Sequence, residues 1–229
     1  MSDRSKRRAA SPVEEAASDA AQDPTDAPAG GWIMNVVLAG VGGQGSVLAT
    51  RVLAGAVRRA GYEVVTSEVH GMSQRGGTVT TTVRFGRGVL APGVGPGEAH
   101  VLVAFELLEA ARHLAFLRPG GLALVNQQRI TPNIESLKAA DYPEDLETRA
   151  AERHVSLQLV PAHQLATELN EPRLASTVLL GALANALELP AEAWRGAIAE
   201  ACPARYAEAN LAAFEVGREW LVGSPEMSF

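Results

Sequence analysis

Residues 35–39 read NVVLA, residues 40–45 read GVGGQG, and residues 44–60 carry Val47, Leu48, Val52, Leu53, Ala56 and Val57 at helical spacing. A short apolar run that breaks into spaced glycines and then into an amphipathic helix leaves few folds open. The run is a buried strand, the glycines turn the chain, and the helix returns across the sheet. Gly40, Gly42 and Gly45 satisfy G-x-G-x-x-G in that strand–loop–helix context. The first glycine permits the tight turn, the second a close backbone approach, and the third close packing of helix on strand. The N–H groups at the helix start favour an anionic group. The other reading of the same glycines is a tight turn that binds nothing.

The rest of the chain extends the pattern. Gly61 ends the helix, and residues 63–66 form a second strand. In residues 78–85, Val79, Thr81, Val83 and Phe85 alternate with Thr80, Thr82 and Arg84, which predicts a half-buried strand of antiparallel character. Residues 86–97 are a Gly/Pro loop. Residues 101–105 are a buried strand followed by a helix over 106–114, and Pro119, Gly120 and Gly121 turn into a strand at 122–126. Residues 127–150 read as irregular and 155–160 as a strand. Helices follow at 162–169, 173–188, 191–201 and 205–222. The expected fold is α/β and Rossmann-like: a mostly parallel sheet with helices on both faces and a helical C-terminal region. Residues 1–33 are rich in Ala, Ser, Asp, Glu and Pro, and read as a disordered tail ahead of one domain at 34–229.

A second loop, SEVHGMSQRGG at 67–77, sets Ser67, Glu68, His70, Ser73, Gln74 and Arg75 among glycines. That density of hydrogen-bonding groups is poor core material and reads as a surface that holds something. In a parallel sheet the loops after the first two strands leave from one carboxyl edge, where ligands bind. Loops 40–45 and 67–77 are therefore expected to be neighbours. A dinucleotide site would want an acid at the end of the second strand, and Glu68 stands near that place. A self-sufficient NAD(P)-binding oxidoreductase or regulatory module is thus the alternative reading.

Composition narrows the chemistry. The net charge is −6 and no long basic run follows the tail, which argues against nucleic acid. The longest uncharged apolar stretch has 14 residues, too short to span a bilayer. Cys202 is the single cysteine, so the chain lacks the roughly four thiolates an iron–sulfur cluster takes. A reducing cytoplasm is the expected compartment, and Cys202 reads as a small buried side chain. No metal site is read, and His113, His154 and His163 lack ligand spacing. Glu106 and Glu109 read as solvated or placed beside Arg112 and Arg118, and Trp194 and Trp220 as core.

The two loops at this separation resemble the gamma-type domain of the 2-oxoacid:ferredoxin oxidoreductases, and within them the beta subunit of the indolepyruvate type. The matching stretches are GVGGQGSVLATRVLA at 40–54, SEVHGMSQRGGTVTTTVRFG at 67–86, VAFELLEAARHLAFLRPGG at 103–121 and VNQQRITP at 125–132. LLGALANALELP at 179–190 and AIAEACPARYAEANLAAFEVG at 197–217 also fit. His100 departs from the pattern, where the family has an aspartate. The resemblance implies oxidative decarboxylation of aryl pyruvates to aryl-acetyl-CoA, with electrons passed to ferredoxin or another acceptor. Thiamine diphosphate, its Mg and 4Fe-4S clusters are implied on a large alpha partner subunit, with coenzyme A as co-substrate. This chain then binds no cofactor alone, and no residue on it is assigned as catalytic.

The implied substrate, CoA or interface loops comprise Gly40, Gly42, Gly43, Gln44 and Gly45 with Ser67, Glu68, His70, Gly71, Met72, Ser73, Gln74, Arg75 and Gly76. Arg75 is the first residue to test, because its fixed guanidinium fork suits a carboxylate or phosphate. A local pair with Glu68 is the competing role for it. Structural roles compete likewise for His70, Met72, Ser73 and Gln74. A scaffold that only stabilises the large subunit is a third reading of the whole chain.

Overall fold

A computed structural model describes residues 32–70, 77–89, 91–130 and 142–223. Six strands form one sheet: β1 (Ile33–Val41), β2 (Glu63–His70), β3 (Thr78–Gly86), β4 (Ala99–Ala104), β5 (Leu117–Asn126) and β6 (Ser156–Val160). Their spatial order is β2-β3-β1-β4-β5-β6. β1, β4, β5 and β6 pair in parallel, and β3 runs antiparallel to both β1 and β2. Because β3 opposes both neighbours, β2 points the same way as β1. Five of the six carboxyl ends therefore share one edge.

Seven α-helices are described: α1 (Ser46–Arg59), α2 (Leu107–His113), α3 (Leu146–Glu152), α4 (Ala162–Glu168), α5 (Ala175–Ala186), α6 (Ala191–Ala201) and α7 (Ala204–Gly223). They cover both faces of the sheet, as the strand–helix alternation predicts. One core joins Val36, Leu38, Val83, Val101, Val103 and Leu124 to residues of α1 and α4–α7. The opposite core joins Val37, Ala39, Leu102, Ala104 and Val125 to Ala110 of α2 and to Leu146 and Ala150 of α3. The strand period of two is what assigns adjacent residues to opposite layers. In β3 it places Val79, Thr81, Val83 and Phe85 in the buried set, as read from the sequence. The C-terminal helices pack on the sheet, with Trp194 fully buried against Phe214 and Cys202 buried beside them.

Several boundaries differ from the sequence reading. α1 begins at Ser46, because Gly45 is left-handed with φ 84° and stays outside the helix. Gly61, also left-handed at φ 87°, follows its end as expected. β5 starts at Leu117, and the Pro119–Gly121 turn becomes a bulge in its pairing with β4. α3 lies in a stretch read as irregular; it is one short helix with only Leu146 and Ala150 buried, too few positions to show a period. β2 extends to His70, four residues past the predicted strand, because β3 offers it a continuous ladder.

Candidate functional site

At the carboxyl edge the first glycine loop is built by its own side chain as well as by its glycines. Gly43 and Gly45 hold φ of 99° and 84°, a region that glycine enters without the Cβ penalty. A Cβ on Gly45 would also lie 2.7 Å from the Ser176 hydroxyl. The third glycine of the motif thus admits the start of α5, rather than only packing α1 on its strand. Gln44 folds back over the turn. Its Oε1 accepts from the Val41 N–H at 2.7 Å, and its Nε2 donates to the Phe105 carbonyl at 3.0 Å. Gly40 is the space that this amide fills, since a Cβ there would lie 2.9 Å from Gln44 Oε1.

The Phe105 carbonyl receives a second donor, the Asn126 Nδ2 at 3.1 Å from the end of β5. The same Nδ2 reaches Gln128 Oε1, and Asn126 Oδ1 accepts from the His163 N–H at the start of α4. Asn126 is buried and fully engaged. These bonds join the ends of β1, β4 and β5 around a cleft of about 240 Å3 whose walls include Gly43, Gln128, Ile130, His163, Arg173 and Ser176. His163 and Arg173 are exposed at its rim. The cleft combines backbone next to a helix start, the Arg173 guanidinium, the His163 imidazole and the Gln128 amide, a set that suits an anionic or polar ligand. The sequence reading missed Asn126, Gln128, His163, Arg173 and Ser176. The rule that parallel strands end at a common edge could have found Asn126, which closes β5.

Among the described residues the second loop meets the first where the Gly42 N–H donates to the Gly77 carbonyl at 3.1 Å. Gly71, Met72, Ser73, Gln74, Arg75 and Gly76, with the side chain of His70, lie outside the described residues. Ser67 and Glu68 require a correction: they belong to β2, not to a loop, and their backbones pair with Thr82 and Thr81. β2 is the edge strand, and β3 stands between it and β1. A dinucleotide-type acid belongs on the strand beside the glycine loop. The intervening strand sets Glu68 about 5 Å farther away than that arrangement requires.

Glu106 and Glu109 are buried, not solvated. Glu106 caps α2 by accepting from the Leu108 N–H at 3.0 Å and the Glu109 N–H at 2.5 Å, and it also accepts from the Tyr142 hydroxyl. Burial raises its carboxyl above the ordinary range despite those amide donors. Glu109 does stand beside Arg112, at 2.6 Å, and accepts from Thr78 Oγ1 at 3.1 Å. His113 bridges the Glu109 carbonyl and Thr80 Oγ1, at 2.9 and 2.8 Å. The network ties α2 to the first residues of β3, directly after Gly77. His100 forms a local bond, accepting the Asn35 N–H at 3.1 Å on Nδ1. Burial, helped by Arg118, lowers its pKa to about 4.

The lone thiol of Cys202 is buried, and burial pushes its pKa up, away from the thiolate a metal needs. Among the described residues no group of three or more His, Cys, Asp or Glu side chains is placed to hold a metal ion. No described helix is long and apolar enough to cross a membrane.

The family model described as pyruvate ferredoxin/flavodoxin oxidoreductase matches residues 35–220, from the first residues of β1 to near the end of α7. The chain belongs to that family. Indolepyruvate oxidoreductase subunits IorB from Pyrococcus horikoshii and Thermococcus kodakarensis are each 38% identical to it over 188 residues, covering 80% of this chain and 93% of theirs. The pyruvate ferredoxin/flavodoxin oxidoreductase fold is also evident in solved structures. The gamma subunit of a keto/oxoacid ferredoxin oxidoreductase from Geobacter sulfurreducens matches with a TM-score of 0.62 at 22% identity, over 83% of this chain and 99% of that one. A 2-oxoglutarate:ferredoxin oxidoreductase from Magnetococcus marinus, with 2-oxoglutarate, coenzyme A and succinyl-CoA bound, matches with a TM-score of 0.62 at 20% identity. That match covers 84% of this chain and 31% of the larger one. The resemblance read from the two loops is thereby borne out, and with it the α/β fold of this oxidoreductase class.

Proposed function

We propose that this chain is the small subunit of an indolepyruvate-type 2-oxoacid:ferredoxin oxidoreductase. The observation that carries the reading is the 38% identity to an IorB subunit over 93% of that subunit's length. Aryl pyruvates are the substrates in this reading, aryl-acetyl-CoA the product and ferredoxin the acceptor. The family resemblance assigns thiamine diphosphate, its Mg and the 4Fe-4S clusters to a large alpha subunit in the cytoplasm, and for the clusters the single cysteine of this chain agrees. When bound there, they supply the decarboxylation and electron-transfer chemistry.

The part left to this chain is recognition. The cleft between Gly43, Gln128, His163, Arg173 and Ser176 faces the partner and receives part of coenzyme A. Arg173 and His163 offer charge and hydrogen bonds to its anionic groups, while Gln44 and Asn126, already spent on Phe105, keep the walls in place. The resemblance assigns Arg75 and its neighbours in sequence to the same recognition role. Glu68 and Ser67 lie on the β2 edge and serve the subunit interface.

Co-expression with the large subunit tests the reading. The pair should reduce ferredoxin in the presence of an aryl pyruvate and coenzyme A, while the small subunit alone stays inactive. Arg75→Ala and Arg173→Ala should each raise KM for coenzyme A or for the oxoacid by roughly tenfold, the worth of a charge-assisted hydrogen bond. Activity of the isolated chain would overturn the reading. So would micromolar binding of NADH, which the glycine loop keeps as the alternative.

A further inference from the structure

Ile130 and Gln128 form one wall of the cleft, and besides the bonds from Gln128 to Asn126 they are held by residues that do not line it. The Ile130 N–H donates to the Tyr142 hydroxyl at 3.2 Å. That hydroxyl in turn donates to Glu106 Oε2. The Arg129 guanidinium lies over the Tyr142 ring, 5.3 Å from its centre. One residue farther back, the Gln128 carbonyl accepts from the Leu107 N–H at 3.0 Å, at the start of the helix that Glu106 caps. Three successive residues, 128 to 130, are thus tied to Glu106, Leu107 and Tyr142. Glu106 itself directly follows Phe105, the carbonyl on which Gln44 and Asn126 converge.

Each bond in this chain of contacts is directional. A phenol hydroxyl donates one proton, and here it goes to a buried carboxylate, which leaves the oxygen lone pairs to accept from a backbone N–H. Glu106 accepts from three donors, two of them the N–H groups at the start of α2. The carboxylate is therefore rigid, and it orients the hydroxyl toward Ile130. We propose that Glu106 and Tyr142 form a clasp that positions residues 128–130 as the ligand-facing wall of the cleft. Tyr142 is then a positioning residue, acting on a bound ligand only through Ile130 and Gln128. The inference rests on the reading of the cleft as the coenzyme A-facing site, but the clasp itself does not.

Tyr142→Phe removes the hydroxyl and keeps the ring under Arg129. In the full chain, without ligand, hydrogen exchange at the Ile130 amide should quicken by on the order of tenfold, with the Val41 amide held by Gln44 unchanged. In the reconstituted complex the same variant should raise KM for coenzyme A roughly fivefold, about the worth of one neutral hydrogen bond, and leave kcat unchanged. A merely structural role would lower thermal stability and yield without that split. Glu106→Gln, which turns one acceptor into a donor, should reproduce the faster exchange at Ile130. Unchanged exchange at Ile130 in both variants overturns the clasp. Faster exchange with KM and kcat both unchanged overturns its role in the cleft. Failure of the subunit reading is separate: the unsubstituted chain would then not restore activity to the large subunit.

Discussion

Gln44 and Phe105, 61 residues apart, are joined by a side-chain amide donating to a backbone carbonyl at 3.0 Å, and this bond ties the first glycine loop to the end of β4. The same amide accepts from Val41 N–H, so one side chain closes its own turn and anchors it to the neighbouring strand. Gln44 therefore shapes the GVGGQG loop together with its glycines.

Substituting Gln44 separates these two contributions. Gln44→Ala leaves the Val41 N–H without its acceptor, whereas Phe105 keeps Asn126 as a donor. The expected loss is about 1–2 kcal/mol. Gln44→Glu preserves the acceptor but sets a carboxylate oxygen against the Phe105 carbonyl oxygen, so it should cost more than alanine at neutral pH. Urea denaturation of the full chain measures both. A glutamate variant as stable as the parent would contradict the bond.

The two left-handed glycines of this loop, Gly43 and Gly45, differ in what surrounds them. A Cβ on Gly43 meets nothing within 4 Å, while one on Gly45 lies 2.7 Å from Ser176 Oγ. Gly43→Ala should carry only the backbone penalty, about 1–2 kcal/mol. Gly45→Ala should carry that penalty and a clash, and Ser176→Ala in the same chain should recover the clash alone. Thermal melts of the three variants give the order directly.

Much of this fold could be read before any coordinates. The strict alternation of Val79, Thr81, Val83 and Phe85 marked β3 and its buried face, and the apolar runs marked β1, β4 and β5. The pairing order could not be read, because nothing in the composition of β2 says that β3 will insert between it and β1. That insertion displaced Glu68 from the place a dinucleotide site would give it. The solvated reading of Glu106 and Glu109 failed for a related reason, although Glu109 does stand beside Arg112: their burial depends on Tyr142, Thr78 and Arg112, partners supplied by other segments or by the next turn. The first glycine loop was legible, since glycine spacing is local. The cleft was not, since Asn126, His163 and Arg173 are brought together only by tertiary structure.

His100 makes stability depend on pH in a stated direction. Its folded-state pKa, about 4, lies below the ordinary 6.5, through burial first and Arg118 second. The unfolded chain therefore takes up this proton before the folded one does. The stabilisation is complete above about 6.5, and it is lost as the pH falls from there toward about 4. Carboxylates also titrate at the acid end, so the comparison is with His100→Asn. The difference in urea midpoint between parent and variant should shift in favour of the variant across that window. A constant difference would mean that His100 does not report its burial.

α5 and α7 cross with their backbones in close contact. A Cβ on Gly217 would lie 1.9 Å from the Val178 carbonyl oxygen, and one on Gly181 would lie 2.0 Å from that of Phe214. The two contacts are reciprocal, each helix offering a glycine Cα to a carbonyl of the other, and the obstacle in both is backbone. Gly196 is a useful contrast: the three atoms nearest its Cβ would all belong to the Arg59 guanidinium, the far end of a half-exposed side chain. Gly181→Ala and Gly217→Ala should each force the helices apart and destabilise by about 1–3 kcal/mol or more. Gly196→Ala, in the middle of α6, should be neutral or stabilising, by up to about 1 kcal/mol from helix propensity. Because α5 begins beside Gly45 with Ser176 in the cleft wall, displacing α5 should also disturb the ligand site. Thermal melts of the three variants, with KM for coenzyme A in the reconstituted complex, test both consequences. Gly217→Ala with an unchanged melting temperature would contradict the crossing, and an unchanged KM in a destabilised variant would show that α5 moves without carrying Ser176 with it.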